Sequence, residues 1–221
     1  MNRLNPNARL ILFLLVLLVL LAVIHVGVIS ITFSKLGLTR ESAFVLLFCA
    51  LFGSLINIPL FTIKAKSPIK VRDVPLSRML RPFMDHQSGR TLIAVNVGGC
   101  LVPVLFSLYL FSTQPLMPDD ILIGITLVTI ISYTFSFPVP GTGIGMPMII
   151  APVFAAIIAI MLNSELSAPL AYISGTMGVL IGADLLNFRH ISHMGAMVAS
   201  IGGAGTFDGI FMTGILAVLL A

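Results

Sequence analysis

A chain of 221 residues that is 58% hydrophobic and only 9% charged is not composed like a water-soluble domain, of which roughly a quarter is charged. The formal charge of +4 comes from 12 Lys and Arg against 8 Asp and Glu. Most of the basic residues share one segment, so the excess points to membrane topology rather than to nucleic acid. Cys49 and Cys100 both fall in apolar stretches, which leaves no case for a disulfide framework or a cysteine metal site.

In chain order, residues 10–33 form an apolar run preceded by Arg3 and Arg9. Its length suits a span and exceeds a secretory h-region, and no small-x-small cleavage site follows; an uncleaved signal-anchor is expected. His25 within it reads as a histidine facing another helix. The second span is expected at 43–63, ending in Asn57-Ile-Pro59. Residues 64–90 are the long polar segment, with Lys64, Lys66, Lys70, Arg72, Arg78, Arg81 and Arg90. A third span at 91–112 carries Asn96-Val-Gly-Gly99, and a fourth follows Pro118-Asp119-Asp120 and reaches Phe137. The tract Pro138-Val-Pro140-Gly141-Thr-Gly143-Ile-Gly-Met-Pro147 interrupts the chain before a fifth span at 148–162. Asn163-Ser-Glu165 turns into a sixth at 168–186, and the polar stretch 187–194 leads to a seventh that begins near Gly195.

The expectation is therefore an all-α, polytopic integral membrane protein of about seven transmembrane helices, a single domain over 1–221, with Pro/Gly-broken segments. With the N-terminus inside, the cytoplasmic segments hold two basic residues in 1–9, seven in 64–90 and one in 187–194, ten of the twelve. Only Lys35 and Arg40 fall outside, together with Glu41, Asp119, Asp120 and Glu165. That distribution favours N-in, C-out, in a cell inner membrane, with 64–90 as a basic cytoplasmic loop.

The carboxylates Asp184 and Asp208 carry the chemistry. A charged side chain at membrane depth costs several kcal/mol, so two on consecutive spans ask for a reason. Asp208 lies in Ser200-Ile-Gly202-Gly203-Ala-Gly205-Thr-Phe-Asp208-Gly209, and Asp184 lies in Gly182-Ala-Asp184-Leu-Leu-Asn187. A structural role at a helix end is an even alternative for Asp184, and a weaker one for Asp208 among glycines. Two carboxylates in one site do not both ionise cheaply; one then holds a proton while the other activates a water. Gly202, Gly203, Gly205, Pro140, Gly141, Gly143, Asn57, Asn96 and Asn187 are the candidate substrate-binding positions, all toward the cytoplasmic ends of their spans. Asn57 and Asn96 read equally as hydrogen-bonding glue between helices. His190 and His193 read as a solvated loop rather than metal ligands; no metal and no cofactor is expected. Neither His-Glu-x-x-His nor Gly-x-Ser-x-Gly occurs.

An aspartate on an outward-to-inward span and a second on the next span resemble the arrangement of presenilin-like intramembrane aspartyl proteases. The likeness covers two spans. It departs from the family pattern where Thr206 and Phe207 separate Gly203-Ala-Gly205 from Asp208, and where Ala183 precedes Asp184 in place of tyrosine. The whole chain, above all Ser200 to Phe211, resembles a family of prokaryotic membrane proteins catalogued by a domain of unknown function, which implies no activity. The presenilin likeness implies an aspartyl-type intramembrane protease with a transmembrane peptide as substrate. The alternative is a small ion- or proton-coupled transporter or channel, which the two Gly-interrupted segments favour. A noncatalytic membrane scaffold is the third reading. The expected partner is the lipid bilayer; no nucleic acid is expected, and no oligomeric state follows. Reporter fusions after Gly89 and Ser192 are expected to read as cytoplasmic, and fusions after Asp120 and Glu165 as external. A swap between those groups overturns the helix count.

Overall fold

A computed structural model describes residues 32–67, 89–139, 143–203 and 209–221. The signal-anchor and His25, most of the basic loop, and Pro140, Gly141, Gly205 and Asp208 lie outside the described residues. The described chain is mostly helical, with two small sheets.

Residues 32–35 close a helical turn, and α1 follows at Arg40–Gly53. Its N-cap is Thr39, whose Oγ1 accepts from the Ser42 amide at 3.2 Å, with Glu41 in the first turn where the helix dipole favours a carboxylate. Strand β1 is Asn57–Lys64 and β2 is Arg90–Asn96, paired antiparallel. A π-helical turn at Val97–Leu101 leads into α2, Val102–Thr113. Helix α3 is Pro118–Phe135, with Pro118 opening it and Asp119 and Asp120 in its first turn. A hairpin of β3, Phe137–Val139, and β4, Gly143–Gly145, connects to α4, Ile150–Leu162. Helix α5, Ser167–Val179, continues as a π-helical segment, Leu180–Leu185. Then come the single-turn α6, Phe188–Ile191, strand β5, Val198–Ile201, and α7, Gly209–Leu220.

Three of the expected spans differ in kind from the helical expectation. The spans expected at 43–63 and 91–112 each contain a strand, and the one expected from Gly195 opens with β5 before it becomes helical. Local chemistry accounts for the strands. Pro59 blocks helix continuation, and β-branched residues crowd both segments: Ile58, Thr62 and Ile63 in β1, Thr91, Ile93 and Val95 in β2. Pro59 is tolerated because β1 is an edge strand, and the register shifts between Pro59 and Phe61. Strand β2 is central, with β5 parallel on its other side. Thr91 Oγ1 also donates to the Ala196 carbonyl at 2.8 Å, fastening the approach to β5.

Helix α5 is the axis of the bundle. Nearly every residue of it is buried, whereas α3 exposes Leu122, Ile123, Leu127, Ile130 and Tyr133. Among the described residues two helical stretches, Pro118–Phe135 and Ser167–Leu185, are long and apolar enough to cross a membrane. Small residues let the neighbours approach α5. A Cβ placed on Gly178 would lie 2.6 Å from Val128 Cβ, and one on Gly182 would lie 2.4 Å from the Thr129 carbonyl oxygen. On another face Gly175 meets Ala155 of α4 and Thr213 of α7.

The helices alternate between two poles. At one pole Lys35 Nζ donates to the Val218 and Leu219 carbonyls, both at 3.4 Å, and Ser167 Oγ donates to the Ala221 carbonyl at 3.2 Å. The sheets, both π-helical segments and α6 occupy the other pole. At that end α1 and the first π-helical turn meet backbone to backbone: a Cβ on Gly98 would lie 1.9 Å from the Ala50 carbonyl oxygen. Gly98→Ala is therefore expected to cost at least 1–3 kcal/mol, about the range of overpacked cores, because the obstacle is backbone. Thermal unfolding of the detergent-purified protein should show a clear drop in Tm; an unchanged Tm overturns this packing.

Candidate functional site

The polar groups of the sheet pole form one connected set. Strands β1 and β2 align Asn57 opposite Asn96, and β5 brings Ser200 beside them. Asn96 is almost fully buried and uses both ends of its amide. Its Nδ2 donates to the Ser54 carbonyl at 2.7 Å and to Asn57 Oδ1 at 3.2 Å, while its Oδ1 accepts from the Gly99 amide at 2.7 Å. That last bond caps the π-helical turn, as an N-cap side chain caps an α-helix. Ser200 Oγ donates to Asn57 Oδ1, so each strand contributes one polar side chain to the junction. Asn57 Nδ2 is buried and has no hydrogen-bond partner among the described residues.

Two residues beyond Ser200, the chain reaches Asp184. The Gly202 amide donates to Asp184 Oδ2 at 2.9 Å. Gly202 has φ +82°, a conformation glycine adopts at little cost, and a Cβ there would lie 2.6 Å from Cys100 Cβ. Gly203 follows, also left-handed at φ +86°. Asp184 itself is half-buried on the π-helical segment that ends α5. Such segments widen a helix by one residue and recur at functional sites. An apolar wall stands beside it: Cys100, Ala151, Val179, Leu180, Ala183 and Ile210 form one buried cluster, against which Ile144 of β4 packs.

The sequence-derived candidates thus divide by place. Asn57, Asn96, Gly202 and Asp184 stand along one continuous path, and Gly203 continues it. Asn187 is directed elsewhere: its Nδ2 donates to Ser136 Oγ at 2.7 Å and to the Gly182 carbonyl at 3.1 Å, tying the end of α5 to the end of α3. Gly143 sits in the β3–β4 hairpin opposite Val139. His190 and His193 are exposed, and among the described residues no group of three or more His, Cys, Asp or Glu comes together to hold a metal. Ser200 was not among the candidates, although it opens the glycine-rich stretch; a hydroxyl two residues before a left-handed glycine was the available signal. Also unforeseen is a set of buried hydroxyls inside the helices, Ser107, Thr129 and Ser132, with no hydrogen-bond partner among the described residues.

A family model described as "Protein of unknown function (DUF1614)" matches residues 51–220. The chain belongs to this family. The DUF1614 match takes in every described site residue from Asn57 to the wall residue Ile210. No curated protein and no solved structure matches, and nothing in these comparisons supports the presenilin likeness.

Asn96→Ala would strand the Gly99 amide and the Ser54 carbonyl together. An unsatisfied buried group costs about 1–3 kcal/mol, so this variant should be markedly less stable than Ser200→Ala, which removes a single donor. Comparing the thermal unfolding of the two purified variants checks the ranking, and equal Tm values overturn the junction's hierarchy.

Proposed function

We propose that this DUF1614 protein is a multi-pass inner-membrane protein of seven spans, N-terminus inside, whose Asp184 and Asp208 form an aspartyl-type site that hydrolyses a peptide bond. What supports embedding is the inversion of polarity. Phe44, Phe48 and Phe52 line one exposed side of α1, and Leu105, Leu108 and Tyr109 stand exposed on α2. Ser107, Ser132, Ser174, Thr176 and Thr213 are buried. In water that arrangement would be unfavourable; in a bilayer the exterior is solvated by hydrocarbon. Charge supports the orientation. Exposed Lys64, Lys66, Arg90 and Arg189 belong to the sheet pole, while Glu41, Asp119, Asp120 and Glu165 belong to the opposite one. The length of α3 fits as well. Helix α3, at 18 residues, spans about 27 Å, close to a bilayer's hydrocarbon core.

The observation that carries the catalytic reading is the hydrogen bond from the Gly202 amide to Asp184. Gly202 precedes Asp208 by six residues in the chain, and Ile210, two residues past Asp208, packs in the same cluster as Ala183. Both described flanks of the Asp208 segment are therefore anchored on the wall that carries Asp184. In the proposed chemistry one carboxylate takes a proton from water as it attacks the carbonyl carbon. The other, protonated, donates to the carbonyl oxygen and stabilises the tetrahedral intermediate. A second reading, proton- or ion-coupled transport, is favoured by the unpartnered hydroxyls within the bundle, which offer partners to a polar species passing through.

The two readings separate on mutants. Asp184→Asn and Asp208→Asn should each abolish cleavage of a transmembrane reporter peptide by the reconstituted protein. The double variant should lose no more, because groups acting as a unit are strongly non-additive. Near-normal cleavage by Asp184→Asn overturns the hydrolase. Ion or proton flux lost in Asp208→Asn and only weakened in Asp184→Asn selects transport instead.

A further inference from the structure

The basic surface at the sheet pole plays no part in the proposed chemistry. Lys64 and Arg90 are directly opposite each other across β1 and β2, and both are exposed. Like charges opposite one another destabilise a strand pair, so an anion between them would relieve a cost already built into the sheet. Their neighbourhood adds more positive charge. The Lys66 amide donates to the Ser192 carbonyl at 2.7 Å, which holds the end of β1 against the turn carrying exposed Arg189. The rings of Phe61 and Phe188 meet across that junction, with centroids 6.1 Å apart. Among the described residues no carboxylate forms an ion pair with any of these cations, and the described acidic residues other than Asp184 belong to the far pole.

Apolar surface lies on the same strand as this charge. The same edge strand exposes Ile58, Leu60 and Phe61. A ligand matched to both surfaces needs an anionic head on an apolar body. Nucleic acid or an acidic peptide would satisfy the cations and leave the apolar strand uncovered. We propose that Lys64, Lys66, Arg90 and Arg189 hold the phosphate headgroup of an anionic phospholipid, whose acyl chains lie along the exposed apolar residues of β1. The inference rests on the membrane reading above. It adds a specific lipid to the sheet that also carries Asn57 and Asn96, so the bound lipid would brace the strands that position Gly202 against Asp184.

The test uses the full chain in nanodiscs of phosphatidylcholine mixed with phosphatidylglycerol. Lipid retained on the protein after extraction is weighed by native mass spectrometry. Wild type is expected to retain phosphatidylglycerol in preference to phosphatidylcholine. The Lys64→Gln/Arg90→Gln variant should lose about 25-fold of that preference, given roughly a factor of five per basic residue at a membrane surface. Arg40→Gln, at the far pole, should leave it unchanged. No preference in wild type, or an equal loss in the two variants, overturns the proposal. Displacement of the lipid by inorganic phosphate also overturns it, in favour of a free-phosphate site. If alkaline carbonate strips the protein from membranes, the embedding itself has failed; an embedded protein without lipid preference overturns the lipid site alone.

Discussion

Helix α5 can lie at the centre of this fold only because its neighbours reach its backbone. Gly178 and Gly182, four apart, present one bare face to α3, and Gly175 presents another to α4 and α7. In a bundle whose exterior is as apolar as its interior, burial of hydrophobic surface does little to pull helices together. Close van der Waals contact between small residues has to supply the association instead. The tight seam with α3 has a second effect. It runs into the π-helical segment Leu180–Leu185, whose other surroundings are β5, β4 and the cluster around Cys100. The helix that holds the bundle together thereby delivers Asp184 to the polar junction.

That junction resolves a problem the strands create. A three-stranded sheet beside apolar helices brings backbone amides and carbonyls into a region where unmet hydrogen bonds are costly. Asn96 and Asn57 meet part of that demand by linking the strand ends to the end of α1 and to the first π-helical turn. The Asp184 carboxylate meets another part, by accepting from Gly202 just where β5 stops. A single arrangement thus completes the sheet and fixes a carboxylate in place.

Much of this was legible in the residues. The fourth, fifth and sixth apolar stretches become α3, α4 and α5 with its π-helical extension, within a few residues of their expected limits, because Pro118, Asn163 and Asn187 mark their boundaries clearly. The strands were hidden for a physical reason. Strands apolar on both faces show no alternation for a period-2 pattern to reveal, so 57–64 and 90–96 look like the ends of spans. Pro59 was the one local objection to a helix there. Asn57 and Asn96 were legible as polar groups needing partners, but that they partner each other depends on a strand register that no helical reading supplies. The Gly202–Asp184 bond was hidden in the same way, since it needs β5 to end where it does. Asn187 illustrates the converse: its proximity to Asp184 in sequence says nothing of its side chain, which turns to α3.

The parallel pairing of β2 with β5 also governs the order in which the molecule is made. Thr91 and Ala196 are 105 residues apart in sequence, and Lys35 and Val218 are 183 apart. Contacts so distant delay the rewarding part of folding, since the intervening chain must be ordered first. During synthesis, β2 has β1 on one side and nothing yet made to occupy the other. The newborn chain carries an unsatisfied edge while α2, α3, α4 and α5 are made, and during that interval it is open to mispairing with another copy. Asp184 spends the same interval without the Gly202 amide. The contact between Gly202 and Asp184 is thus among the last features of the molecule to form.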